Sequence, residues 1–241
     1  MAKKKKRNKK KILFVVSLFV ILMAAGGYYA YRIIHRKNHT PSSTKRRDDG
    51  RLCDGIDVSN HQGKIDWVKV ATYKNIKFVY IKATEGATLV DRQYARNIKE
   101  ARKNGLKVGS YHYLRNTSLI SDQFENFKRT AKKDLQDLLP MVDMEEVIHR
   151  DSIKAFCNLI EEYYGKQPVI YSANSWYNEF CAPDFNDHIK MIGRLGRKPS
   201  LSGKGTYEIW QYSANGYVPG ILWPVDLSRL HPNFKTSRLK L

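Results

Sequence analysis

From residue 53 onward the chain alternates short β-rich runs with stretches whose apolar residues recur at helical spacing, which restricts it to a few α/β architectures. The strand candidates are residues 53–59 (CDGIDVS), 78–83 (FVYIKA), 107–114 (KVGSYHYL), 139–145 (LPMVDME), 168–173 (PVIYSA), 189–195, 207–213 (YEIWQYS) and 225–230. Helical patterns over 65–73, 91–104, 120–133 and 152–164 separate most of them, with Gly105 and Gly165 standing where a helix C-terminus stops. A shorter helix is predicted over 175–180. Eight strands with helices between most of them predict a parallel β/α barrel. The rival is an open doubly wound sheet, but no glycine-rich phosphate loop follows the first strand. A complete eightfold barrel takes about 250 residues. Here about 190 are available, so the expected fold is an irregular TIM-like barrel with fewer helices than strands.

The first 52 residues read differently. Residues 1–50 hold 14 of the 43 Lys and Arg against two Asp, a local charge of +12 within the total of +20. A whole-protein argument for nucleic-acid binding from net charge is therefore misplaced, and no nucleic-acid partner is expected. The opening MAKKKKRNKKK (1–11) precedes a run from 12 to 31 without a charged residue, 20 positions long, and a spanning helix needs about 20. By the positive-inside bias the basic block stays in the cytoplasm. Tyr28, Tyr29 and Tyr31 would form the far aromatic belt. The expectation is a single-pass anchor over 12–34, with the C-terminal body outside the cytoplasm. The alternative is a signal peptide cleaved near Ala24, Ala25 and Gly26, giving a secreted protein. Residues 35–52, rich in Ser, Thr, Lys and Arg without apolar periodicity, read as a linker. A body over 53–235 follows, then a basic tail over 236–241.

Three cysteines, Cys53, Cys157 and Cys181, have no CxxC spacing. That argues against a metal site and is compatible with either one disulfide or small buried hydrophobes.

The stretch 138–146 (LLPMVDMEE) carries the most pointed chemistry. Side chains at i and i+2 of a strand share a face, so Asp143 and Glu145 would stand together while Glu146 points away. Two carboxylates that close disfavour joint ionisation, so one should hold its proton to higher pH. That is the chemistry of a general acid beside an anion, although D-x-E alone also suits a strand end entering a solvated acidic turn. In a parallel barrel, chemistry sits at the C-terminal strand ends. On that reading Asp57 ends the first strand, Glu85 follows the second, Asp143 and Glu145 end the fourth, and Asp226 lies in the last, adjacent to the first. Tyr80, Tyr111, Tyr113, Tyr171, Trp210 and Tyr212 accompany them. Several carboxylates with aromatic faces in one cleft suit sugar binding and glycoside hydrolysis, although each aromatic taken alone is more often core than ligand.

DGIDVSNHQGKIDW, FVYIKATEGATLVD, GSYHYL, PMVDMEE, VIYSA and IWQYS, in this order, closely resemble the glycoside hydrolase family 25 lysozymes, the Chalaropsis-type muramidases. The match runs from about residue 54 to 230. The resemblance implies an irregular β/α barrel that hydrolyses the β-1,4 bond between N-acetylmuramic acid and N-acetylglucosamine in peptidoglycan. No cofactor is implied, and a monomer acting on glycan strands is expected. It assigns Glu145 as general acid and Asp143 as the carboxylate that steers the substrate's own N-acetyl group in a substrate-assisted retaining reaction. It places Asp57 and Asp226 in the cleft floor, and Tyr111, Tyr171 and Tyr80 among substrate-binding residues. Trp210 is expected to pack near the site and not on sugar. Two departures stand out. The last motif reads Asp226, Ser228, Leu230 where relatives commonly have D-x-N-x-F, and the 191–194 region (MIGR) lacks a tryptophan often present there. A non-catalytic wall-binding module on the same fold is the alternative function.

Overall fold

The computed structural model describes residues 53–73, 75–203 and 205–241. The basic segment 1–11, the apolar span 12–34 and the linker 35–52 lie outside the described residues. Among those described, no helix is long and apolar enough to cross a membrane.

The strands are β1 (Gly55–Val58), β2 (Phe78–Glu85), β3 (Leu89–Val90), β4 (Val108–Tyr113), β5 (Met141–Met144), β6 (Val169–Ala173), β7 (Lys190–Gly193), β8 (Ile209–Gly216) and β9 (Val225–Leu230). They form one sheet in the order β1-β9-β8-β7-β6-β5-β4-β2-β3, and a further β1–β2 pairing closes eight of them into a barrel. The barrel was legible from the alternation, but two features differ from expectation. β3 is an extra hairpin strand, antiparallel to β2. More consequentially, β9 runs antiparallel to both β8 and β1, whereas β8 is parallel to β7. The connection between β8 and β9 is too short for a parallel crossover, which takes about a dozen residues or more.

Four regular helices lie between strands: α1 (Trp67–Thr72), α2 (Tyr94–Lys103), α3 (Ile120–Thr130) and α4 (Arg150–Tyr164). The last stops at Gly165, whose φ of 82° supplies the left-handed C-cap. The helix expected at 175–180 is a single α-turn, Asn174–Trp176, continuing into a π-turn over Tyr177–Cys181.

The period-2 alternation of each strand divides the core. Val79, Ile81 and Ala83 of β2 and Val142 and Met144 of β5 pack outward in the helix-facing cluster, with Phe127 and Phe156. Phe78, Tyr80, Tyr111, Met141, Tyr171, Met191 and Ile209 belong to a second, interior cluster. Gly55 and Gly109 make room for it: a Cβ on Gly55 would come 2.1 Å from the Phe78 ring, and one on Gly109 2.6 Å from Tyr80. The outward layer also buries His112, stacked on Phe156 at 4.8 Å, with Thr84 Oγ1 2.7 Å from its Nδ1. Burial lowers that imidazole to about 4.

Residues 236–241, read from sequence as a basic tail, are part of this body. Thr236–Leu239 is a 3-10 turn whose Leu239 is completely buried against the interior cluster. Leu139 N–H donates to the Leu239 carbonyl at 2.7 Å. All three cysteines are buried thiols, with Cys157 and Cys181 pushed up to about 12 by burial.

Candidate active site

The interior parity that fills one end of the barrel with apolar rings brings polar side chains to the other. A cleft of about 500 Å³ opens there, lined by Asp57, Tyr111, Tyr113, Asp143, Glu145, Tyr171 and Asp226, together with Lys82, Gln211 and the turn at Ser59, His61 and Gln62. Of the carboxylates and tyrosines expected around the mouth of the parallel strands, Asp57, Tyr111, Tyr113, Asp143, Glu145 and Tyr171 converge, and Asp226 joins them for a reason the parallel reading had wrong. Because β9 is antiparallel, the start of β9 lies at the same end as the finish of β1, and Asp57 and Asp226 are direct register partners.

Asp143 and Glu145 line the same cleft, as their i, i+2 spacing requires. Their environments differ. Asp143 closes β5 and is buried, paired in register with Tyr113 on one side and Tyr171 on the other. Its Oδ1 has no hydrogen-bond partner although it is shut off from solvent. Burial raises its carboxyl well above the ordinary range, the Glu145 charge adds to that, and the Lys82 ammonium opposes it. Glu145 sits one residue past the strand and is exposed at the rim.

Asp57 and Asp226 form a second acidic unit. Burial raises Asp57 well above its usual value, followed by the charge of Asp226 and against the hydrogen bond from Gln211. Burial likewise lifts Asp226 to about 6. Gln211 Nε2 donates to Asp57 Oδ2 at 3.1 Å, and Tyr171 Oη donates to Gln211 Oε1 at 2.7 Å. The chain Tyr171–Gln211–Asp57–Asp226 crosses the floor of the cleft. Burial, and after it the Asp143 charge, raises both Tyr111 and Tyr171, so both remain neutral hydroxyls.

The remaining candidates fall outside the cleft. Tyr80 has the right parity but the wrong depth: it is completely buried and its hydroxyl donates to the Leu139 carbonyl, before the start of β5, so the ring leans toward the closed end. It is corrected from substrate contact to core. Trp210 Nε1 donates to the Arg194 carbonyl at 2.7 Å and packs beside the site, as expected. Tyr212 is buried under the Arg229 guanidinium, 4.3 Å from its ring. Glu85 pairs with Lys82 at 2.6 Å and Arg115 at 3.2 Å. Glu146 turns away from the cleft, also to Arg115, and accepts from Asn116 N–H at 3.1 Å.

Sequence reading missed Gln211, Lys82 and the Ser59–Gln62 turn. Gln211 sits between Trp210 and Tyr212 in IWQYS, and strict alternation on β8 would have pointed it inward once the aromatics were placed outward. The turn is held by reciprocal bonds: His61 N–H to Ser59 Oγ at 3.2 Å and Ser59 N–H to Gln62 Oε1 at 2.8 Å, the S-x-x-Q capping box.

Residues 56–221 match the family described as glycosyl hydrolases family 25. The protein YegX of Escherichia coli K12 is 35% identical over 185 residues, covering 72% of this chain and 68% of the relative. Lysozyme M1 of Streptomyces globisporus is 30% identical over 199 residues, covering 73% and 67%. Among solved structures, a family 25 glycosyl hydrolase from Bacillus anthracis superposes with a TM-score of 0.69 at 29% identity, covering 76% of this chain and 91% of that one.

Proposed function

The chain belongs to glycosyl hydrolases family 25, and we infer that its cleft hydrolyses peptidoglycan as a lysozyme, at the β-1,4 bond between N-acetylmuramic acid and N-acetylglucosamine. The observation that carries the division of labour is the contrast within one pair: a buried Asp143 with an unpartnered oxygen beside an exposed Glu145 on the same wall.

In this reaction Glu145 gives its proton to the glycosidic oxygen. The C1–O bond of the muramic residue breaks, its electron pair going to the leaving oxygen, while the carbonyl oxygen of the substrate's 2-acetamido group bonds to C1 from the opposite face. Positive charge develops on the acetamido group and its N–H becomes acidic. Asp143 supplies the acceptor for that N–H. A carboxylate whose proton affinity is raised by burial is suited to this, because it gains most when the proton is shared. Glu145, now a carboxylate, takes a proton from the incoming water, which attacks C1, reopens the ring and gives retained configuration without an enzyme nucleophile. Asp57, Asp226 and Gln211 bind sugar hydroxyl and amide groups at the floor, and Tyr111 and Tyr171 offer ring faces and neutral hydroxyls.

Digestion of purified peptidoglycan with identification of the new reducing-end sugar tests this. N-acetylmuramic acid ends are expected, and Glu145→Gln lowers their release about 10²–10⁴-fold, the worth of a general acid. N-acetylglucosamine ends, or a Gln variant near parental activity, would defeat the assignment.

The enzyme acts as a monomer outside the cytoplasm, held by residues 12–34 as a single-pass anchor with residues 1–11 inside and 35–52 as tether to the catalytic body. Support is the 20-residue uncharged run behind a basic block. In fractionated cells the protein should sediment with membranes and resist alkaline carbonate extraction. Release of a shortened, soluble body would instead favour cleavage after Ala25.

A further inference from the structure

The β8–β9 connection leaves the cleft beside Asp226 and carries Leu222, 78% exposed, and Trp223, 57% exposed, the one exposed tryptophan among the described residues. The loop beneath them is stiff. Val218 and Ile221 are buried, and Ile221 N–H donates to the Val218 carbonyl at 3.0 Å. Asp66 N–H donates to the Gly220 carbonyl at 2.9 Å, and Gly220 has a φ of +96° in a position where a Cβ would lie 2.4 Å from the Asp66 carbonyl oxygen. The loop is also tied to the cleft: Gln62 Nε2 donates to the Pro224 carbonyl at 2.9 Å. The indole lies against Gly63, whose added Cβ would be 3.7 Å from both Cδ1 and Nε1. Gly63 ends the turn whose His61 and Gln62 line the cleft wall. A large apolar ring is therefore held rigidly in water, immediately beyond the cleft.

We propose that Trp223 is a stacking platform for the glycan strand as it leaves the cleft across the His61–Gly63 turn, a sugar-binding position beyond those served by the carboxylates. A pyranose ring presents a face of C–H groups that fits the indole face, and an amphipathic, conformationally stiff side chain binds it with little entropy to lose. Continuity with the cleft favours a glycan over a lipid surface: the ring adjoins the wall on which the strand already lies. The inference rests on the peptidoglycan reading above and adds where the strand goes.

The test uses peptide-free glycan strands fractionated by length. On long strands Trp223→Ala should raise KM about fivefold, the effect of one lost aromatic contact, with the penalty shrinking as strands become too short to reach the loop. Trp223→Tyr should keep most of the parental KM. Tryptophan fluorescence of the Glu145→Gln protein should respond to long strands, and that response should disappear when Trp223→Ala is added. An equal penalty at every length, or none, overturns the platform while leaving hydrolysis intact. So does a Trp223-dependent affinity for anionic phospholipid vesicles with glycan binding unaffected. A parent protein that releases no reducing ends overturns both the platform and the proposed function.

Discussion

The two ends of the barrel both bury polar or charged groups and treat them in opposite ways. At the closed end, Lys190 is 1% exposed, yet its ammonium donates to the Asn186 carbonyl at 2.7 Å and the His188 carbonyl at 2.6 Å, with Glu208 at 3.4 Å. Leu239 seals the same end. At the open end, Asp143 is buried with an oxygen left unpartnered, and Asp57 and Asp226 face one another with one amide between the floor and the wall. A buried charge with its partners present holds a fold together, whereas a buried acid without them is a cost that a ligand can remove. The closed end is built to stay, and the open end is built to receive.

The largest effect that sharpens this contrast should come from the closed end. Leu239→Ala leaves a void in a fully buried site, and should cost about 2–5 kcal/mol in urea denaturation with specific activity per folded molecule retained. A stability change near zero would mean the plug is dispensable. Next in size, Asp143→Asn should lower turnover of peptidoglycan about 10²-fold, as loss of transition-state charge stabilisation does, without lowering the denaturation midpoint. A variant that is both inactive and unstable would make Asp143 a structural residue like those below it.

The smallest effect is in pH dependence. Asp226 is raised to about 6 in the folded protein, so the fold holds this proton where the unfolded chain has lost it. Its contribution to stability is present at low pH and is lost as pH rises toward 6. His112, lowered to about 4, acts in the opposite sense, adding stability as pH rises through the same interval. Asp226→Asn removes this carboxyl and, with it, the charge that helps raise Asp57 in the same sense, so thermal midpoints should climb more steeply with pH in the variant than in the parent. Parallel curves would show that Asp226 titrates normally.

Much of this was legible because strand alternation is a local rule. It paired Asp143 with Glu145, turned Glu146 away, and put Tyr111 beside Tyr113. It failed where depth mattered, since parity points Tyr80 inward without saying that its hydroxyl reaches toward Leu139. The direction of β9 was also in the sequence, in the short connection between the last two strands, but the regular βα pattern upstream argued for one more parallel strand. Leu239 was hidden by its setting: two leucines among Lys235, Arg238 and Lys240 read as tail, and only the ring of interior side chains at the closed end gives Leu239 a place.

The register of Asp57 against Asp226 carries a consequence for when the enzyme exists at all. The first strand pairs with β2 close by in sequence but finds its second partner only in β9, so closure waits on that strand and the β1–β9 pairing has a high contact order. A nascent chain that has emerged through β8 already owns Asp57, Asp143 and Glu145 but lacks Asp226 and the strand that closes the barrel around them. The closed pocket therefore depends on the delivery of β9, the strand that brings Asp226 beside Asp57.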